Sequence, residues 1–294
     1  MSTTGLDHGV RLCQSKDLFP HFDGSLPVLV IENALSKTVV ALQGAHVLSF
    51  VPAGGRDMLW QSPKTIMVKG QPVRGGIPLC LPWFGPHADG HPLHGFARLL
   101  PWAVDDLEIL GDGATRVVLT LADSEATRAM WPHAFSFALE IVAGKDLKLT
   151  LTARNASGGD ARFEFAFHTY FNVGDVYRTA VIGLEGCTFE DREDKSARKP
   201  QEGALGITGT TTKLYFSTPA VQRIESPAGK YRIESDSKCR MVWNAGDNDR
   251  NVPDMGAGNH KGYLCVEPAD ATEGAVVIPE GKAYTTTMTL SVVG

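Results

Sequence analysis

Residues 162–172, Arg-Phe-Glu-Phe-Ala-Phe-His-Thr-Tyr-Phe-Asn, bring titratable and aromatic side chains together in one short run. Read as a strand, they place Phe163, Phe165, Phe167, Thr169 and Phe171 on one face and Arg162, Glu164, Ala166, His168, Tyr170 and Asn172 on the other. The first face is core. The second is too polar for another core and suits either open solvent or the wall of a polar cleft. His168 is accordingly either a proton-transfer group or an ordinary hydrogen-bonded sheet histidine.

A second run, Gly-Tyr-Leu-Cys-Val-Glu-Pro at 262–268, alternates so that Tyr263, Cys265 and Glu267 share a face. Pro268 pushes Glu267 into extended geometry and is expected to end the ladder, leaving a carboxylate at a strand end among apolar neighbours. Desolvation there would raise its pKa towards the range useful for proton transfer; the ordinary alternative is a glutamate paired with an arginine.

Between residues 70 and 86 the chain is dense in glycine and proline and contains Arg74-Gly75-Gly76 and Trp83-Phe84. Glycines let backbone N–H groups approach a ligand, Arg74 offers a planar fork to an oxyanion, and the aromatic pair offers a flat surface for a sugar. A structural turn with a surface arginine is the plain alternative. The next segment holds His87, His91 and His94 within eight positions. Pro92 and the glycines deny these histidines a helical frame, and no cysteine or clustered carboxylate joins them, so a metal is not expected. His94 and Arg98 read better as donors to a polar ligand.

These residues need a scaffold, and the pattern supplies one. Strand-like runs recur at 28–32, 38–42, 46–51, 103–110, 115–121, 135–143, 147–153, 162–172, 231–235, 239–243, 262–267 and 284–293, separated by turn residues. The only helical run is 124–130, stopped by Trp131-Pro132. An all-β fold, a large antiparallel β-sandwich, is expected, with 31 Gly and 17 Pro for its turns. No repeat or linker divides the chain, so residues 1–294 are read as one domain, and the mixed-sign stretch 190–199 as a solvated loop.

With 28 Lys and Arg against 33 Asp and Glu, the net charge is −5. That excludes a general nucleic-acid or anionic-membrane surface, both of which need a cationic footprint, and favours a small-molecule partner for a monomer. No apolar run of about 18 residues and no signal-like N-terminus is present, which points to a soluble, cytoplasmic protein. Five widely spaced cysteines, without a C-x-x-C pair, read as buried reduced thiols.

Taken in order, several segments resemble the aldose 1-epimerase superfamily, and within it the hexose-6-phosphate mutarotase (glucose-6-phosphate 1-epimerase) branch. They are Gly-Ala-His-Val-Leu-Ser-Phe at 44–50, Asp-Met-Leu-Trp-Gln-Ser at 57–62, Val-Arg-Gly-Gly-Ile-Pro at 73–78 and Pro-Trp-Phe-Gly at 82–85. His-Gly-Phe-Ala-Arg at 94–98, Trp102, Trp-Pro-His at 131–133, Phe-His-Thr-Tyr-Phe at 167–171 and Cys-Val-Glu-Pro-Ala at 265–269 complete the series. The resemblance implies a galactose mutarotase-like supersandwich, His168 and Glu267 as the catalytic pair, and Arg74, His94 and Arg98 as substrate-binding residues. It implies interconversion of the α and β anomers of a sugar phosphate, with no metal and no cofactor. Thr212 stands where relatives often carry an acidic sugar ligand, and Leu93 where some carry a polar residue. An epimerase for neutral sugars and a non-catalytic carbohydrate-binding protein are the competing expectations; the latter has no need of an acid facing a base.

Overall fold

The computed structural model describes residues 5–6 and 9–293. Nearly all of its strand pairs are antiparallel, and the parallel exception among the described residues is the short pair Asp23–Gly24 with Ile66–Met67. The expected all-β architecture is present, and no helix among these residues is long and apolar enough to cross a membrane.

A nine-stranded sheet is built around the meander Ala103–Ile109, Thr115–Ala122, Phe135–Ala143 and Leu147–Asn155, continued by Ala283–Val293 and Gly229–Ser235. Its central strands alternate buried and open residues, as in Thr115–Ala122, where Val117, Leu119 and Leu121 turn inward. This period of two marks a sheet packed on one face. An eight-stranded sheet covers that face, with Thr211–Tyr215, Cys239–Asn244, Tyr263–Asp270 and Phe165–Phe167 in its middle. Leu149, Leu151 and Met288 of the first sheet share one core with Phe165, Phe167, Leu264 and Val266 of the second. Each such fully buried side chain contributes roughly 1.5–3 kcal/mol. A further five-stranded sheet, ending in Ser36–Ala41 and His46–Pro52, packs alongside.

The short helix forms at Glu125–Met130, capped by Ser124 and Thr127, and stops at Trp131 before Pro132. Two expectations need correction. Residues 162–172 are not one strand but three, Ala161–Phe163, Phe165–Phe167 and Tyr170–Asn172. Glu164 N–H donates to Pro82 O and His168 N–H to Pro78 O, in register with Leu79–Cys80, so the interruption lies on the side of Tyr263–Asp270, where Thr169 N–H closes a tight turn onto Phe167 O. Nor does Pro268 end its strand, which runs from Tyr263 to Asp270 with Pro268 paired to Arg240. The proline is accommodated because it lies level with the interruption between Phe167 and Tyr170 in the neighbouring strands, where the ladder is already broken.

Candidate active site

The interruption does not shift the register. Ala166 lies opposite Ala269 and Tyr170 opposite Cys265, so His168 falls opposite Glu267 of Tyr263–Asp270. His168 Nδ1 lies 3.2 Å from Glu267 Oε1, with 7% of the histidine and none of the glutamate exposed. The contact is misaligned for a hydrogen bond, so Nδ1 and both carboxylate oxygens are buried without a hydrogen-bond partner among the described residues. Buried polar groups are almost always paired, and unpaired ones concentrate where function demands them.

Burial moves the two groups in opposite directions. It pushes the Glu267 carboxyl well above the ordinary carboxylate range, offset in part by the charges of Arg192 and Arg98. It holds the His168 imidazole well below its usual value, helped by His94, Arg74 and Arg98. Opposed shifts of this kind favour a pair that holds one proton between them, as Glu–COOH beside neutral imidazole or as its tautomer, carboxylate beside imidazolium.

The pair opens into a cleft of about 460 Å³, the size of a small-molecule site. Its walls include Phe84 and Trp243, its cations are Arg74 and Arg192, and His94 also lines it. The Trp243 ring stands edge-on to His168, which lies parallel to Tyr170 with ring centroids 4.8 Å apart. Stacking of this kind fixes the imidazole plane.

Arg74 is held by Gly75 and Gly76, which take positive φ and thread between neighbouring backbones. A Cβ on Gly75 would lie 2.5 Å from Trp60 O, and one on Gly76 would fall onto Val47 O. The glycines thus admit the chain's own backbone: Gly76 N–H donates to Trp60 O, 2.8 Å away, and is not free for a ligand. The Arg74 guanidinium donates to Tyr170 OH at 3.0 Å and to Asp254 at 3.1–3.2 Å, and these partners hold its charge firmly in place.

His94, at φ +62, closes a ten-residue loop by donating its N–H to Gly85 O, while its Nδ1 accepts from Gly85 N–H. Burial and the nearby arginines depress its pKa to about 3, so the ring is neutral. With Nδ1 an acceptor, the proton is assigned to Nε2, which makes His94 a donor to a bound oxygen.

The sequence pattern that defines the aldose 1-epimerase family matches residues 27–291. The chain belongs to the aldose 1-epimerase family. A protein of Escherichia coli strain K12 that carries the provisional name glucose-6-phosphate 1-epimerase is 34% identical over 264 residues, 88% of each chain. A solved structure from Salmonella typhimurium, provisionally titled a mutarotase, superposes with a TM-score of 0.89 at 30% identity, covering 100% of this chain and 97% of the other. A galactose mutarotase-like protein from Lactobacillus casei, 18% identical, has the same fold, with a TM-score of 0.70 over 90% of this chain and all of that one.

In this epimerase, the cleft brings together four of the five residues singled out from sequence: His168, Glu267, Arg74 and His94. Arg98 lies apart. It does not line the cleft; its guanidinium donates to Leu93 O at 2.7 Å, and its Nε is buried without a partner among the described residues. Its charge reaches the site only at a distance. Arg192 was missed. It follows the edge strand Thr188–Asp191, and its N–H donates to Thr212 O, which carries it to the cleft beside Thr212. Within the mixed-sign run 190–199 nothing marks it; only the pairing of Thr188–Asp191 with Thr211–Tyr215 does.

Proposed function

We propose that the protein interconverts the α and β anomers of a hexose 6-phosphate, with glucose 6-phosphate the foremost candidate. The observation that carries the reading is the buried, otherwise unpartnered pair of Glu267 and His168, 3.2 Å apart, at a cleft with two arginines. Opening a pyranose at C1 needs a proton removed from the anomeric hydroxyl and one delivered to the ring oxygen. The Glu267 carboxylate takes the proton from O1; the O1 electron pair forms the C1 carbonyl as the C1–O5 bond breaks; the His168 imidazolium protonates O5. Rotation about C1–C2 presents the other face. His168 then accepts the O5 proton, O5 attacks C1, and Glu267 returns a proton to O1. The pair ends as it began, which a one-proton tautomeric couple satisfies without exchange with solvent. A sugar hydroxyl and ring oxygen also supply the hydrogen bonds that Glu267 and His168 lack, favouring the ionised tautomer when substrate is bound.

For the phosphate, Arg74 and Arg192 play unequal parts. Arg74 spends its donors on Asp254 and Tyr170. Arg192 has only a loose contact to Glu190, at 3.5 Å, and leaves its fork free to grip phosphate oxygens. His94 would donate to a sugar oxygen. We assign Arg98 to supporting the 93–98 segment, its charge adding to the field around the pair. A single domain is supported by a core that runs from Val10 to Leu290. A cytoplasmic setting is supported by five free cysteines.

The test is anomer exchange measured by NMR on glucose 6-phosphate and on glucose, with wild type, Arg74→Ala and Arg192→Gln. We expect exchange of the phosphosugar well above buffer and weak exchange of glucose. Losing one charge-assisted bond of about 1.5–3 kcal/mol should raise KM for the phosphosugar by roughly 10- to 150-fold in Arg192→Gln, with glucose little affected. Exchange no faster than buffer would overturn the enzymatic reading, and equal rates on the two sugars would overturn the phosphate assignment.

A further inference from the structure

We propose that the tip of the loop from Gly85 to His94 is a binding site for a divalent transition-metal ion, of which Zn²⁺ is the reference case, held by His87, Asp89 and His91. From sequence the loop offers Asp89 alone beside its histidines, with no cysteine or cluster of carboxylates. The fold alters this: His94 turns into the cleft, and one donor atom from each of His87, Asp89 and His91 lies within 4.8 Å of the others. None of the three lines the cleft, so the site is separate from the epimerase machinery.

The arrangement is pinned from several sides. Gly90, at φ +72, allows a turn in which Gly90 N–H donates to His87 O, bringing positions 87 and 91 together. The two imidazoles stand 4.7 Å apart, and both lie against the Trp83 indole, at 4.7 and 6.1 Å. Trp83 is itself buried and tied to the loop by donating to Pro92 O at 3.0 Å. His87 Nδ1 accepts from Asp89 N–H at 3.2 Å, with Asp89 Oδ2 3.8 Å away, so an ion ligated there displaces that hydrogen bond. The carboxylate, largely exposed, has to swing inward.

Two imidazole nitrogens and one carboxylate oxygen form the donor set of a borderline ion with positions left for water. Mg²⁺ and Ca²⁺ prefer oxygen ligands throughout and are disfavoured. An ion at the tip would also brace the cleft, because the loop's neck, Gly85 and His94, lines it.

Titration of the full-length protein with ZnCl₂, against MgCl₂ as control, tests the proposal. We expect one equivalent of Zn²⁺ to bind at micromolar concentrations, with affinity reduced at least about tenfold in His87→Ala/His91→Ala and by less in Asp89→Asn. The double variant should keep wild-type circular dichroism and metal-free turnover, since neither side chain lines the cleft. A second donor group, His168, Cys265 and Glu267, also lies within 4.8 Å. Co²⁺ distinguishes the two, as only the latter gives a thiolate-to-cobalt charge-transfer band. Zn²⁺ binding no tighter than Mg²⁺, binding undiminished in the double variant, or a thiolate band lost in Cys265→Ser would each overturn the assignment.

Discussion

Replacing Glu267 by Gln should stop catalysis and stabilise the fold, and the second effect should depend on pH. The carboxyl is fully buried, and neither oxygen has a hydrogen-bond partner among the described residues. An unsatisfied buried polar group costs about 1–3 kcal/mol, more when charged. Glutamine keeps the shape and some unmet polar atoms, so it relieves the charge component alone. Burial raises the carboxyl pKa above 4.5. Between that ordinary value and the raised one, the native state holds a proton that the unfolded chain has released, so wild-type stability falls as pH rises. Below the ordinary value the acid is protonated in both states, and the two proteins converge. The advantage of the variant should therefore be near zero below the ordinary carboxylate value and grow as pH rises towards the raised one, at roughly 2–4 °C in melting midpoint for each kcal/mol. Calorimetry of both proteins across this range, alongside anomer exchange reduced by about 10²–10⁴-fold, is the assay. A variant less stable at every pH, or a pH-independent difference, would mean that the native carboxylate is satisfied by partners and that lost activity reflects a damaged site.

Three further outcomes follow from the same geometry. Opposite shifts of Glu267 and His168 predict a profile of kcat against pH whose two limbs depart from the ordinary carboxylate and imidazole values; limbs at those ordinary values would refute the shared-proton couple. His168→Ala should lower kcat by about 10²–10⁴-fold with a much smaller effect on KM, measured by the same NMR exchange, and unchanged turnover would remove it as the acid. Gly95→Ala should cost at least about 1–3 kcal/mol in denaturant unfolding, because Gly95 sits at φ +76 and its Cβ would fall onto the Leu81 carbonyl; a neutral effect would mean that the neck of the cleft loop yields easily.

What could be read in advance divides along a physical line. Strands with one open face announced themselves: Thr115–Ala122, Phe135–Ala143 and Leu147–Asn155 alternate in sequence as they do in burial. Thr188–Asp191 and Thr211–Tyr215, short and polar, carry no such signal, and so neither did Arg192, whose place depends on their pairing. At the centre the pattern was legible but its geometry was not. Tyr263–Asp270 is buried on both faces, Leu264 and Val266 facing the main core and Glu267 the cleft, so the alternation that set Glu267 apart was correct while the inference that Pro268 ends the strand was not. Local rules weigh a proline against a continuous ladder; they cannot know that the neighbouring chain leaves the ladder at the same level. That departure between Phe167 and Tyr170 is local, the tight turn in which Thr169 N–H donates to Phe167 O. It leaves the register unchanged, with Ala166 opposite Ala269 and Tyr170 opposite Cys265, so His168 faces Glu267 across the gap. The acid and the base are thus assembled by the pairing of two segments about 100 residues apart, which no local pattern in either one announces.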